Sequence, residues 1–434
     1  MVAFIDNKFE ANTLLANTLL ANKVLAQLPQ PSARNMAVHV TPAAERAIRE
    51  GHPWLFDQSI RQLSHNGRSG DLAIIFDRKD RFMAVGLYDP ESPIRVRVLH
   101  QGQPTRIDQH WFEQQIRLAA AQRKPLLSTA TTGYRLLHGE NDSLPGLVVD
   151  RYAETYVMKL YTTAWLPHLR SVLAALQTVM GPERLVLRLS RALQADQEQL
   201  YGLYDGQLLW GPPLTDMIHF QENGLMFAVD VVAGQKTGFF LDQRDNRARV
   251  EQLAQGKRVL NVFAYTGGFS LYAARGGATA VTSLDLSQPA LETAVINFDL
   301  NQQQPNVAAA SHTLLQGDAF QQMEALIGQN RHFDLLVVDP PSFARQQADV
   351  AGALGAYARL TRLALGLLSP GGVLVQASCS SRVETAVFYQ TIHKTAQKEK
   401  RPLREIERTG HAIDHPITFP EGEYLKCLFA KVQA

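Results

Sequence analysis

The residues best suited to chemistry stand at the ends of short apolar runs. Asp334-Leu-Leu-Val-Val-Asp339-Pro-Pro-Ser-Phe343 closes a buried-strand pattern with an acid, then two residues lacking a backbone donor, then an aromatic ring. Pro340 and Pro341 stiffen such a loop and leave nearby carbonyls to receive an exocyclic amine. Phe343 can stack on a planar base, a contact worth about 1–3 kcal/mol in single-stranded recognition. Read simply as a loop ending a strand, the segment would leave Asp339 as an unpaired buried acid, which is costly. Ser378-Cys379-Ser-Ser381 follows the run Val373-Leu-Val-Gln-Ala377 in the same way. A cysteine is most often a small buried apolar residue, but Cys379 lies among serines past a strand end, where a thiolate can act as a nucleophile. Cys427 alternates within Tyr424-Leu-Lys-Cys-Leu-Phe429 and reads as structural.

A thiolate beside an acid suits one reaction in particular. Carbon 5 of a pyrimidine is a poor nucleophile, and thiolate addition at carbon 6 turns the ring into an enamine that attacks an electrophilic methyl group. Asp339, protonated or sharing a proton with ring nitrogen 3, would stabilise the charge that develops. A further base must remove the carbon 5 proton, and no residue declares itself for that step.

A second group of residues describes a nucleoside pocket. The strand pattern ending at Phe263 runs into Ala264-Tyr265-Thr-Gly267-Gly268 and then a helix, and glycines there let the backbone approach a ligand. Asp285 ends the next strand about 20 residues on, where a carboxylate can accept from both ribose hydroxyls. The order G-x-G-x-x-G that cradles a pyrophosphate is absent, which favours S-adenosylmethionine over a dinucleotide. Gly317-Asp318-Ala-Phe320 adds an acid to meet an adenine amino group and a ring to shield the base. Lys236, Gln243 and Arg244 could serve a carboxylate or a phosphate. No metal site is expected.

These residues need a frame. From residue 258 the chain alternates strand and helix: strands at 258–263, 280–285, 333–339 and 373–377, helices at 269–275, 288–301 and 352–368. That is the pattern of a doubly wound α/β fold with a parallel sheet, whose ligands lie outside the carboxyl ends of the strands. Ahead of it, short strands at 72–76, 82–85 and 94–99 make a small β-rich unit, with Arg95 and Arg97 on one strand face as a solvated pair or a phosphate platform. Residues 106–215 read as mixed α/β, with helices near 108–124 and 167–180, ending at Gly211-Pro-Pro213. The near-repeat Asn12-Thr-Leu-Leu-Ala-Asn17-Thr-Leu-Leu-Ala-Asn22 suggests a loosely attached helical extension over 1–35.

Composition sets the outer limits. The 434 residues are 45% hydrophobic and 19% charged, ordinary globular usage, and a net charge of +2 neither requires nor excludes a nucleic-acid partner. Two cysteines, no signal segment and no long apolar run favour a cytoplasmic protein without a membrane partner.

The quoted motifs resemble one family. Gly51-His-Pro-Trp-Leu-Phe56 and Gly86-Leu-Tyr-Asp-Pro-Glu-Ser-Pro-Ile94 look like its PUA domain, Glu140-Asn-Asp-Ser-Leu-Pro-Gly-Leu-Val-Val-Asp-Arg-Tyr152 like its middle-domain signature. Gly234-Gln-Lys-Thr-Gly-Phe-Phe-Leu-Asp-Gln-Arg-Asp-Asn-Arg247 and His415-Pro-Ile-Thr-Phe-Pro-Glu-Gly-Glu-Tyr-Leu-Lys426 look like its catalytic entry and its ending. Over residues 38–432 the chain is similar to bacterial 23S ribosomal RNA cytosine-5 methyltransferases of the large-subunit type. The resemblance implies a PUA-like domain at 36–105, a middle α/β domain at 106–215 and a Rossmann-like class I methyltransferase domain at 216–434. It further implies S-adenosylmethionine as cofactor, RNA as partner, Asp285 and Asp318 as cofactor contacts and Cys379 as nucleophile. Two departures stand out: Ser143 replaces a usual glycine, and Pro341-Ser342 follows the loop proline where two-cysteine RNA cytosine methyltransferases carry a second thiol. Rival readings are a guanine methyltransferase needing no thiol and a non-catalytic RNA-binding assembly factor. A homodimer is left open.

Overall fold

The computed structural model describes residues 23–196, 198–344 and 346–433 and divides into two compact units. The first comprises residues up to 224 with 229–241 and 413–420; the second comprises 225–228, 242–412 and 421–434.

In the first unit, strands β1 (Met36–Val40), β2 (Trp54–Phe56), β3 (Ile60–Leu63), β4 (Leu72–Phe76), β5 (Phe82–Tyr88) and β6 (Ile94–Gln101) form one sheet in the order β2-β6-β5-β4-β1-β3. Helix α1 (Pro42–Arg49) starts where Thr41 caps it, its hydroxyl accepting from Ala44 N at 3.3 Å, and Pro42 takes a position that needs no donor. Arg97 is neither solvated nor open to a phosphate. It is buried, donates to the Ile94 carbonyl and Ser92 Oγ, and lies 3.7 Å from Asp89. Arg95 pairs with Asp57.

A second sheet comes next: β7 (Gly133–His138), β8 (Leu147–Tyr152), β9 (Thr155–Leu160), β10 (Arg184–Leu189) and β11 (Gln207–Trp210), in the order β11-β10-β9-β8-β7. Helices α2 (Gln109–Leu127) and α3 (Leu169–Met180) cover it with Phe112, Ile116, Val172 and Leu176. The middle-domain signature is buried electrostatics. Arg123 clamps Asp142 at 2.9 and 2.6 Å, and Arg135 clamps Asp150 at 2.8 and 2.9 Å. Thr237, from the Gln-Lys-Thr-Gly segment, donates to Asp150 Oδ2 at 2.5 Å, so that motif is tied to β8. Ser143, the departure from glycine, has φ 61°, which is where glycine is preferred.

The repeat over Asn12–Asn22 lies outside the described residues. The segment beginning at Lys23 is held firmly: residues 23–27 are helical, Leu28 is buried, and Arg170 donates to the carbonyls of Leu25, Leu28 and Pro29.

The chain then forms β12 (Ile218–Glu222) and β13 (Leu225–Val229). The second unit is built on β14 (Arg258–Val262), β15 (Ala280–Asp285), β16 (Ser311–Gln316), β17 (Phe333–Val338), β18 (Leu368–Ser378), β19 (Leu403–Thr409) and β20 (Lys426–Val432), in the order β16-β15-β14-β17-β18-β20-β19. Connecting helices are α4 (Arg244–Leu253), α5 (Gly268–Arg275), α6 (Gln288–Asp299), α7 (Ala319–Gly328), α8 (Val350–Leu367) and α9 (Thr385–Lys398). The sheet is not parallel throughout. Six of the seven strands run in one direction, and β20 enters antiparallel between β18 and β19. Its run Cys427–Ala430 is completely buried, as a strand paired on both sides requires. Successive strands are added on one side of β14 and then on the other, with β15 and β17 as its neighbours, and a crevice at such a switch point is where α/β sheets bind ligands.

Candidate functional site

Register brings the expected residues to one rim. Val262 pairs with Leu284 and with Val338, and Val338 pairs with Gln376. Phe263, Asp285, Asp339 and Cys379 therefore lie at the carboxyl ends of four adjacent strands.

The turn after β14 has an uncommon backbone. Phe263, Tyr265 and Gly267 all have positive φ, at 63°, 49° and 77°. Left-handed geometry at two aromatic residues costs on the order of 1–2 kcal/mol each and persists only where surrounding bonds impose it. Asp285 imposes much of it. Its Oδ2 accepts from Tyr265 N at 2.8 Å, and its Oδ1 accepts from Ser287 N at 2.8 Å, so one carboxylate holds two loops. From α6, Asn297 donates to the Thr266 carbonyl at 2.8 Å. The missing side chain of Gly267 makes room for α6, because a Cβ there would stand 2.8 Å from that of Ala294. This glycine is needed for helix packing as well as for the turn.

Beneath the turn runs a buried polar chain: Asn261 donates to Ser270, Ser270 meets Ser283 at 2.7 Å, and Ser283 meets His312 Nε2 at 2.9 Å. Burial brings the His312 imidazole down to about 4, and its ring stacks on Phe298 at 3.7 Å. Among the described residues, Thr266 Oγ1 is buried with no hydrogen-bond partner. A carboxylate with lone pairs to spare, an unsatisfied hydroxyl and a preset turn suit a polar nucleoside ligand such as S-adenosylmethionine.

The other expected cofactor contacts are placed differently. Asp318 is exposed and caps α7, Oδ1 accepting from Gln321 N at 3.1 Å, which leaves its second oxygen for a ligand. Phe320 carries the Arg359 guanidinium 4.6 Å over its ring, so that face does not shield a base. Gln243 is buried at the start of α4, where Oε1 accepts from Asn246 at 2.6 Å.

On the other side of β14, two loops are stitched together. Cys379 Sγ lies 3.9 Å from the Pro340 carbonyl. Ser342 and Ser380 both donate to the Ala344 carbonyl, at 3.1 and 3.2 Å, and Ser378 Oγ meets the Tyr357 hydroxyl at 2.8 Å. Ser378 and Ser380 are buried while Cys379 between them is half-exposed, so of these three residues only Cys379 reaches the surface. Asp339 is half-exposed, not a sealed acid. Pro340 is buried and Pro341 exposed; Phe343 is half-buried with its centroid 5.3 Å from that of Tyr357. Burial, with help from Cys379 and Asp339, pushes the Tyr357 phenol up to about 12, so it stays neutral. Cys427 is fully buried and its thiol is pushed far up by burial, consistent with an inert residue.

Sequence reasoning did not single out Tyr357 or Lys426. Lys426 is buried and donates to the Ser380 and Val383 carbonyls at 2.8 and 2.5 Å. A lysine inside an otherwise apolar strand pattern was the available signal.

Comparison with known proteins agrees with this architecture. A family model described as S-adenosylmethionine-dependent methyltransferase matches residues 196–430, and one for a PUA-like domain matches residues 38–101. The ribosomal RNA large subunit methyltransferase of Deinococcus radiodurans is 47% identical over 409 residues, 93% of this chain and 99% of that protein. Ribosomal RNA large subunit methyltransferase I of Pseudoalteromonas translucida is 36% identical over 399 residues, covering 91% and 99%. A solved SAM-dependent methyltransferase from Streptococcus mutans superposes with a TM-score of 0.77 at 22% identity, over 91% of this chain and all of that one, a likeness of fold.

Proposed function

Because the chain belongs to the S-adenosylmethionine-dependent methyltransferases and carries a PUA-like domain ahead of the catalytic one, we propose that it methylates carbon 5 of a cytosine in large-subunit ribosomal RNA. The observation that carries the reading is the pairing of loops at one rim, with Cys379 Sγ 3.9 Å from the carbonyl of Pro340, the residue after Asp339.

S-adenosylmethionine, when bound, supplies an electrophilic methyl group. Phe263, Tyr265, Gly267, Asp285 and Asp318 would hold it, with Asp285 on the ribose hydroxyls. Gln243, whose side-chain oxygen accepts from Asn246, would offer its amide NH2 to the same ligand. On the acceptor side, carbonyls of the Pro340-Pro341 loop receive the exocyclic amine of cytosine and Phe343 packs at the edge of the base. The Cys379 thiolate adds to carbon 6, forming an S–C bond while the ring electrons shift toward carbon 5 and nitrogen 3, where Asp339, protonated or sharing its proton with that nitrogen, stabilises the charge. Carbon 5 would take the methyl group as the methyl–sulfonium bond breaks, and transfer of the carbon 5 proton to water would re-form the carbon 5–carbon 6 double bond and expel the Cys379 thiolate. The first unit would dock the RNA, and the setting would be the cytoplasm, where both thiols stay reduced. Among the described residues no helix is long and apolar enough to cross a membrane.

The test is methyl transfer from labelled S-adenosylmethionine to ribosomal RNA of a strain lacking the protein, followed by nucleoside analysis, for wild type and Cys379→Ala. Label in 5-methylcytidine that disappears in the variant supports the adduct. Label in a guanosine, or undiminished transfer by Cys379→Ala, moves the assignment to a guanine acceptor. No transfer together with retained RNA binding indicates an assembly factor.

A further inference from the structure

A lysine sealed inside a protein is costly unless an anion accompanies it. Lys426 is 2% exposed. It opens β20 opposite Ser378, the residue before Cys379, and its ammonium donates to the carbonyls of Ser380 and Val383, both in the loop that leaves Cys379. Among the described residues it forms no ion pair with a carboxylate. Two carbonyl dipoles orient the ammonium but do not neutralise it.

We propose that Lys426 is the positioning residue of the Cys379 loop and the counter-charge of its thiolate, which forms when the thiol proton is released to water. The inference rests on Cys379 being the nucleophile. It explains why an apolar strand carries a lysine at this one register position, and why the loop after Cys379 turns two carbonyls inward. Arg382, a cation on the same loop, is exposed to solvent, whereas Lys426 is sealed beneath the loop. Asp339 and Glu423 can carry no positive charge, Glu423 being exposed three residues before Lys426, and Tyr357 remains a neutral phenol. Burial lowers the proton affinity of Lys426, while Glu423 and Cys379 act in the opposite direction, as expected for an ammonium awaiting its anion.

The experiment is peptide-resolved alkylation of Cys379 by iodoacetamide as a function of pH, in the full-length wild type, Lys426→Met and Lys426→Arg. The buried Cys427 is the internal unreactive control. The wild-type inflection is expected below the ordinary thiol value of about 8.5. Lys426→Met should raise it by about one unit or more, slowing alkylation near pH 7 by about tenfold, and Lys426→Arg should keep it within about half a unit. In the methyl-transfer assay Lys426→Met, with native circular dichroism, should lower kcat and leave KM for S-adenosylmethionine unchanged, and the lost rate should be partly recovered at higher pH, which an inactive unfolded fraction would not show. A wild-type inflection at or above the ordinary value, or one unmoved by Lys426→Met in a protein with native circular dichroism, overturns the proposal. Should Lys426→Met not fold, the wild-type and Lys426→Arg profiles decide. Undiminished methyl transfer by Cys379→Ala would instead remove the nucleophile itself, an outcome separate from the alkylation profile.

Discussion

Asp285→Asn is the substitution that best isolates how the cofactor turn is held. The carboxylate accepts one backbone N–H on each oxygen, from Tyr265 and from Ser287, both at 2.8 Å. An asparagine has one oxygen and one NH2, so in either orientation one accepting bond is lost and a donor faces a donor. A hydrogen bond to a charged group is worth about 1.5–3 kcal/mol. The loss matters most at Tyr265, where the bond offsets the cost of a left-handed backbone (φ 49°). If that free energy must be restored on binding, the Kd for S-adenosylmethionine rises roughly ten- to a hundredfold. Removing a proposed ribose contact acts in the same direction. Isothermal titration calorimetry on wild type and variant measures it, with hydrogen exchange of the Tyr265 amide as a local probe. A Kd within about threefold of wild type, in a variant with native circular dichroism, would refute the argument that this carboxylate organises the turn.

Two further outcomes concern stability. Ser143→Gly places the residue type that suits φ 61° at a capping position, so the midpoint of urea unfolding should increase, by on the order of 1 kcal/mol in free energy; an unchanged or lower midpoint would show that Ser143 is not strained. His312 has its folded value depressed from 6.5 to about 4 by burial, so the unfolded chain takes up the proton first as pH falls. Its contribution is therefore complete above pH 6.5, declines below it and is gone by about pH 4, on the order of 3 kcal/mol in all. Urea melts at pH 7.5 and 4.5 should show wild type losing about 2–3 kcal/mol more than His312→Gln, and equal losses would contradict the assignment.

Much of the catalytic half was legible in the chain itself. Apolar runs ending in Asp285 and Asp339 marked β15 and β17 to within a residue, and the glycine-bearing turn marked the entry to α5. These features are local: a buried strand needs a continuous apolar run, and a sharp turn needs residues that tolerate its dihedrals. Short-range logic also explains the misses. Arg95 and Arg97 alternate on paper as a matched pair, yet the Asp89 carboxylate and Ser92 hydroxyl meet the guanidinium of Arg97 once the strand is folded, while Arg95 pairs with Asp57. The direction of β20 could not be read from its apolar run, since a strand between two partners has the same pattern whether parallel or antiparallel.

The sequence by itself therefore determined which residues end the strands and what each side chain could do. Tertiary structure decided which of them meet. Pro340 and Cys379 are 39 residues apart, and Lys426 lies 46 beyond Ser380, distances in sequence that carry no preference for contact. Strand order supplied it: β17, β18 and β20 are neighbours, so loops from distant segments share one rim and a lysine from the last strand comes to lie beneath the loop that bears the thiol.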